Sequence, residues 1–290
     1  MRNVTPDTLT DLLLGLSGPK TDPRLQEVLG ALVRHLHAFA REVSLTHDEW
    51  RKGLELLTRA GEISDAERNE FVLFSDVLGL SSLVDMINSP QGCTSSSVLG
   101  PFHILGAPDL PIGGDMIGDN PGPQVVVQGY VRDQAGDPIK GARIELWQTA
   151  DNGLYSNQDP NQADYNLRIS MVTGADGRYA LSTIRPAPYL VPTDGPVGDL
   201  LNATGRHAWR PSHLHFIVQA PGHRTLVTEV FPSDDPYLDA DAVFGVRSDL
   251  VMEYRPGIRD RVAPDIAARD RLAEKFSTVD FEFILPDEAA

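Results

Sequence analysis

The spacing of apolar residues changes once along this chain, and that change limits the folds open to it. In DPRLQEVLGALVRHLHAFAREV, Leu25, Val28, Leu29, Leu32, Leu36, Phe39 and Val43 recur at helical period. Asp22 is placed to cap that helix, with Pro23 at its first position. Thr46 and Glu49 form a capping box for a second helix that stops near Gly61. Ser64 and Glu67 form another, opening an apolar-rich helix broken at Gly79. At PQGCTSSSVLGPFH the helical period ends. From Gln124 on, short β-type runs alternate with Gly/Pro/Asp turns. In GARIELWQT the alternation turns Ala142, Ile144 and Leu146 inward and Arg143, Glu145 and Trp147 outward. LRISMVT, GADG and RYALSTI read as a hairpin. The expectation is an α+β chain: a helical domain over residues 1–100, then an antiparallel β-sandwich of about seven strands over residues 101–290.

Bulk properties narrow the function. A net charge of −16 repels nucleic acid and anionic membrane. The single cysteine, Cys93, excludes an intrachain disulfide and a Cys-based zinc site. The apolar run near the N-terminus is too short and too acidic for a signal peptide, and no stretch approaches the roughly 20 apolar residues of a membrane span. A soluble cytoplasmic protein is expected. GGDMIGDN lacks the strand–loop–helix context of a phosphate site.

RPSHLHFIV sets the functional question. In a strand, residues two apart share a face, so His213 and His215 project side by side. Two neutral imidazoles on one rigid face are half a metal site. They are equally what two ordinary structural histidines look like. His207 offers a further nitrogen or a loop contact. Tyr155 in NGLYS and Tyr189 in RPAPYLVP read singly as half-buried aromatics with bonded hydroxyls. Tyr189 lies in a segment, Pro186 to Pro211, with few helix or strand signals, and loops of that length are usually functional.

Four ordered motifs carry a resemblance: VLGPFH, GDPIKGARIELWQTADNGLYS, RISMVTGADGRYALSTIRPAPYLVPTDGPVG and GRHAWRPSHLHFIVQAPGH. From about Asp76 to Tyr254 the chain resembles the intradiol ring-cleavage dioxygenases, and FSDVLGLSSLVD, TSSSVLGPF and DPYLDADAVFGV look most like the hydroxyquinol-cleaving branch. Catechol- and chlorocatechol-cleaving branches are the alternatives. The resemblance implies one Fe(III) per subunit held by Tyr155, Tyr189, His213 and His215. Phenolates suit so hard a cation, which in turn favours their ionised form. It implies that Tyr189 leaves the metal when a catecholic substrate binds, and that Arg210 stabilises charge developing on the ring. Leu73, Asp76, Gly100 and Pro101 match pocket residues, and Asp76 is placed to accept a hydrogen bond from a third ring hydroxyl, which would favour a triol over a diol. Two departures bear on the pocket: Glu229 stands where catechol-cleaving members carry glutamine, and Leu190 follows Tyr189. The implied partners are a small aromatic diol or triol, O2, and a second copy of the chain held through the N-terminal helices, with lipid at that interface in some members. Two readings of other classes stand beside this one: a non-catalytic β-sandwich binding module and a mononuclear zinc hydrolase.

Overall fold

The structure, a computed structural model, describes residues 4–65 and 68–288. Two compact units divide between Thr58 and Arg59.

The first unit is helical. Helix α1 spans Leu9–Leu14 and α2 spans Pro23–Glu42; α3, His47–Ile63, begins in it. Both expected caps form. Asp22 accepts from the Leu25 N–H at 2.9 Å, and Thr46 and Glu49 bond reciprocally, N–H to side chain, at 2.9 and 3.3 Å. The apolar stripe of α2 is not buried within this chain: Leu25, Val28, Leu29, Leu32, Leu36, Phe39 and Val43 are all about half exposed.

The second unit opens with α4, Glu70–Val77, and α5, Leu80–Asn88. They part where expected, at Gly79, whose φ of +74° is left-handed and suits a residue without a Cβ. Of the capping box ahead of α4, Glu67 lies outside the described residues; Ser64 Oγ accepts from the Glu70 N–H at 3.0 Å. Among the described residues no helix is long and apolar enough to cross a membrane.

The strands are β1 (Gly114–Asp115), β2 (Gln124–Arg132), β3 (Arg143–Trp147), β4 (Arg168–Val172), β5 (Arg178–Ile184), β6 (Tyr189–Leu190), β7 (Trp209–Arg210), β8 (Leu214–Gln219), β9 (Leu226–Pro232), β10 (Val251–Met252), β11 (Arg255–Pro256) and β12 (Ser277–Ile284). One sheet runs β1-β5-β2-β12-β11 and the other β10-β9-β8-β3-β4, with β6 and β7 forming a separate ribbon. The expected sandwich is present, but its sheets are mixed. The pairs β2–β12, β1–β5 and β9–β10 are parallel. Parallel pairing needs a long connection, and β12 follows β2 by most of the domain, so no tight turn forces the two antiparallel.

The expected hairpin is also corrected. The turn 174–177 closes locally, Gly177 N–H to Gly174 carbonyl at 3.0 Å, but β4 pairs with β3 while β5 crosses to β2 in the other sheet. Period and turn chemistry are the same for a hairpin and for a corner between sheets. Ile144, Leu146, Phe216, Val218, Leu181 and Phe283 fill the core between the sheets.

Candidate metal centre

The alternation that sends Ile144, Leu146, Leu214, Phe216 and Val230 into the core turns their neighbours to the other face. There the register builds a row across four strands. Arg168 on β4 opposes Trp147 on β3, Trp147 opposes His215 on β8, and His215 opposes Glu229 on β9. Trp147 was expected to face outward; it does leave the sandwich core, but it is 2% exposed because a second apolar cluster covers this face. In that cluster Leu73 and Val77 of α4, Phe102, Tyr155, Tyr189 and Val191 pack together.

The two tyrosines arrive from irregular chain. After β3 the backbone turns back, Ala150 N–H to Leu154 carbonyl at 3.0 Å, with Gly153 at φ +78°. Tyr155 is fully buried and stacks on Phe102 with centroids 4.8 Å apart. The segment 186–211 is more structured than its sequence suggests: it holds β6, helix α6 (Pro196–Ala203) and β7. In the β6–β7 ribbon Tyr189 lies directly opposite Arg210, so both share the inward face. Glu70, fully buried at the start of α4, anchors this segment by accepting from the Val197 N–H at 3.1 Å.

Three ligand-type atoms converge. His213 Nε2 lies 3.0 Å from His215 Nε2, and the Tyr155 hydroxyl lies 3.4 Å from the first and 3.1 Å from the second. His213 Nδ1 donates to the Pro211 carbonyl at 2.7 Å, which leaves its Nε2 as a lone pair facing the cluster. Burial, aided by Arg210, holds His213 below the ordinary histidine range; burial and the neighbouring His213 hold His215 well below it. Both imidazoles are therefore neutral at pH 7, the form that binds a metal. Burial pushes the Tyr155 hydroxyl well up, and Tyr189 up as well, so a phenolate at either position needs a strong positive charge at its oxygen. His215 Nδ1 makes no hydrogen bond. Facing lone pairs, neutral imidazoles and buried phenols all fit a metal cation.

His213, His215 and Glu229 also form a cluster with ligand atoms within 4.8 Å of one another. Glu229 is nevertheless committed elsewhere. Its two oxygens accept from Arg210 Nη1 and Nη2, each at 2.8 Å, and Oε2 accepts from Ser97 Oγ at 2.7 Å. Burial, the largest single influence, would raise its carboxyl, but the electrostatic pull of Arg210 and His213 and the hydrogen bonds from Arg210 and Ser97 together hold it below the usual range.

A cavity of about 10 Å³ adjoins the cluster, lined among others by Leu73, Asp76, Gly100, Pro101, Tyr189 and Arg210. Asp76, Val98, Gly100 and Pro101 also line a groove of about 650 Å³ running along α4 and α5. That groove, not the inner cavity, has the volume of a small-molecule site. Asp76 is buried, which raises its carboxyl; a hydrogen bond from Ser81 and the charge of Arg210 oppose the rise.

Of the residues expected at the site, Tyr155, Tyr189, His213, His215, Arg210, Glu229, Leu73, Asp76, Gly100 and Pro101 are thus neighbours. Leu190 does not join them: it faces away from Tyr189 on β6 and is half exposed. His207 accepts from the Trp209 N–H at 3.2 Å, beside Tyr237 and apart from the cluster. Sequence reasoning missed Trp147, Arg168, Ser97 and Asp241, the last a buried acid that accepts from Arg210 Nε at 3.0 Å. Trp147 and Arg168 were within reach once strand register was known; nothing in the sequence singled out Ser97 or Asp241.

Comparisons with known proteins agree with this architecture. Residues 106–287 match the family model described as Dioxygenase, and residues 22–94 match Catechol dioxygenase N terminus. The chain is 47% identical over 237 residues to a hydroxyquinol 1,2-dioxygenase of Rhizobium sp. (strain MTP-10005), covering 81% of this chain and 80% of that protein. It is 44% identical to a 6-chlorohydroxyquinol 1,2-dioxygenase of Cupriavidus pinatubonensis, covering 88% and 93%. The crystal structure of hydroxyquinol 1,2-dioxygenase from Pseudomonas putida DLL-E4 superposes with a TM-score of 0.88 at 43% identity, covering 98% of this chain and 99% of that one.

Proposed function

This chain belongs to the intradiol ring-cleavage dioxygenases, and from that premise we propose that it opens the ring of hydroxyquinol, 1,2,4-trihydroxybenzene, between its two adjacent hydroxylated carbons. The observation that carries the reading is the convergence of Tyr155, His213 and His215, with Tyr189 alongside, next to a cavity that Asp76 shares with the outer groove.

In this reading Tyr155, Tyr189, His213 and His215 hold one ferric ion. When bound, the ion supplies the electron withdrawal that makes a catecholate ring reactive toward O2. The protein's own groups do the rest. Tyr189 takes up a proton from a substrate hydroxyl, with Arg210 Nη1 at 3.4 Å to steady its oxygen. Arg210 offers the same N–H to negative charge growing on the ring. The closed apolar wall of Leu73, Phe102 and Val191 keeps water from the reacting carbons. Asp76 accepts from the third ring hydroxyl in addition to Ser81, and a diol would leave that second acceptor of the buried carboxyl unpaired. The carbon–carbon bond between the hydroxyls breaks, both oxygen atoms of O2 enter the product, and each severed carbon becomes a carboxylate.

We also propose that residues 101–290 carry the catalysis, with Leu73 and Asp76 added from the helical part, and that the chain acts in the cytoplasm. A second copy covers the α2 stripe; seven half-exposed apolar residues on one helix face support that pairing.

Oxygen uptake by the iron-loaded protein, with hydroxyquinol and catechol in parallel, tests the reaction. Strong uptake with hydroxyquinol and little with catechol is expected. Equal or greater uptake with catechol moves the chain to the catechol-cleaving branch, and a colourless, iron-free but folded protein refutes the reading.

A further inference from the structure

Arg210 is held more completely than substrate positioning requires. A guanidinium has five N–H donors and two forks suited to a carboxylate. Asp241 occupies one fork, accepting from Nε at 3.0 Å and Nη2 at 3.3 Å. Glu229 occupies the other, accepting from Nη1 and Nη2 at 2.8 Å each. The remaining donor, on Nη1, points to the Tyr189 hydroxyl at 3.4 Å and His213 Nε2 at 3.3 Å. Neither acid is free to turn. Ser97 Oγ fixes Glu229, while the N–H groups of Gly245 and Val243 donate to Asp241 at 2.8 and 3.3 Å. Arg210, Glu229 and Asp241 are 1%, 0% and 6% exposed, so water screens none of them. One guanidinium and two carboxylates sum to a formal charge of −1.

We propose that Asp241, with Glu229, makes Arg210 a positioned single donor whose charge is masked, and that this buried acid–arginine–acid cluster sets the release of the dicarboxylate product. The inference rests on the reaction proposed above. The substrate enters with hydroxyls and no carboxylate, so one aimed N–H is enough to orient it. The product leaves with two carboxylates. An open guanidinium fork beside Tyr189 would grip one of them bidentately and hold the product in the site. With both forks filled, the new carboxylate meets one donor and a cluster of net negative charge. Asp241 is thereby a positioning residue acting through Arg210, and Glu229 shares the task.

The test compares Asp241→Asn and Glu229→Gln with the parent protein, each loaded with iron. Two quantities are read: the affinity for cis,cis-muconate, a dicarboxylate stand-in for the hydroxylated product, by calorimetry, and KM against kcat for hydroxyquinol. Removing one buried negative charge is expected to tighten muconate binding by about tenfold in each variant, with KM moving by less than about threefold and kcat falling as release slows. A residue that merely braced the fold would weaken both ligands together. Muconate affinity unchanged or weaker in both variants, at melting temperatures close to the parent's, overturns the proposal. If Asp241→Asn does not fold, Glu229→Gln makes the same charge change with an amide oxygen still able to accept from Arg210, and decides alone. Absence of turnover by the parent would fail the reaction and not the charge argument, because the calorimetric comparison needs no turnover.

Discussion

The indole of Trp147 lies parallel to the imidazole of His215, with ring centroids 4.6 Å apart and planes within 4°. The pairing follows from register, since the two residues are directly opposed on β3 and β8. His103 also packs against the indole, with centroids 4.8 Å apart, and its Nε2 bonds Glu145 at 2.8 Å. His215 Nδ1 makes no hydrogen bond, Glu229 Oε1 standing 3.4 Å away, so stacking on the indole is the close contact that orients the ring. Replacing Trp147 by leucine is expected to lower iron affinity by about 10- to 100-fold, the usual effect of losing a ligand's support. Trp147→Phe should recover most of it. Competition with a chelator, read on the visible tyrosinate band, checks both.

Tyr155→Phe removes one phenol oxygen from the cluster while keeping the ring stacked on Phe102. The variant should fold, lose most of its iron and lose the visible band. A Tyr155→Phe protein that keeps full iron content and turnover would remove Tyr155 from the ligand set.

Asp76→Asn tests both selectivity and stability. The ratio of kcat/KM for hydroxyquinol over catechol should fall by at least about tenfold. The stability change has a defined sign. Burial raises the Asp76 carboxyl above its unfolded value, so its ionised form costs the folded state stability at neutral pH. Asparagine should therefore melt higher than the parent at pH 7. That advantage should vanish as pH falls below the ordinary aspartate range, where both states are protonated.

Glu70→Ala leaves the Val197 N–H at the start of α6 without its acceptor and Arg68 without its buried partner, 2.9 Å away. Arg68 is partly exposed and still reaches Asp194, which limits the loss to about 2–3 kcal/mol. A drop of roughly 5–10 °C in melting temperature is expected at this domain size.

Leu29→Asp and Leu32→Asp place charge in the middle of the α2 stripe. Light scattering at micromolar concentration should show a dimer for the parent and a monomer for the double variant, with iron content unchanged.

The helical caps, the break at Gly79 and the strand carrying His213 and His215 were legible in the sequence because each depends on a few adjacent residues. The partnership of β5 was not: a tight turn looks the same whether the next strand stays in its sheet or crosses to the other. Site residues reachable by local pattern, such as the two histidines, emerged early. Asp241 could not, because its meaning depends on Arg210, thirty-one residues away in the chain but 3.0 Å away in space. Leu190 failed for the opposite reason: adjacency to Tyr189 says nothing about facing when a strand alternates.

The parallel pairing of β12 with β2 carries a consequence for how the molecule is made. Ser277 pairs with Val125, and β12 lies between β2 and β11 inside its sheet. As the chain leaves the ribosome, β2 pairs with β5 on one side but must wait for β12 with its other edge open. Pairings this distant in sequence are slow to form, and an unpaired edge invites association with other chains. The order of synthesis thus leaves the nascent chain vulnerable until β12 appears, and a block in that strand would leave an aggregation-prone sandwich with an open edge rather than a smaller folded protein.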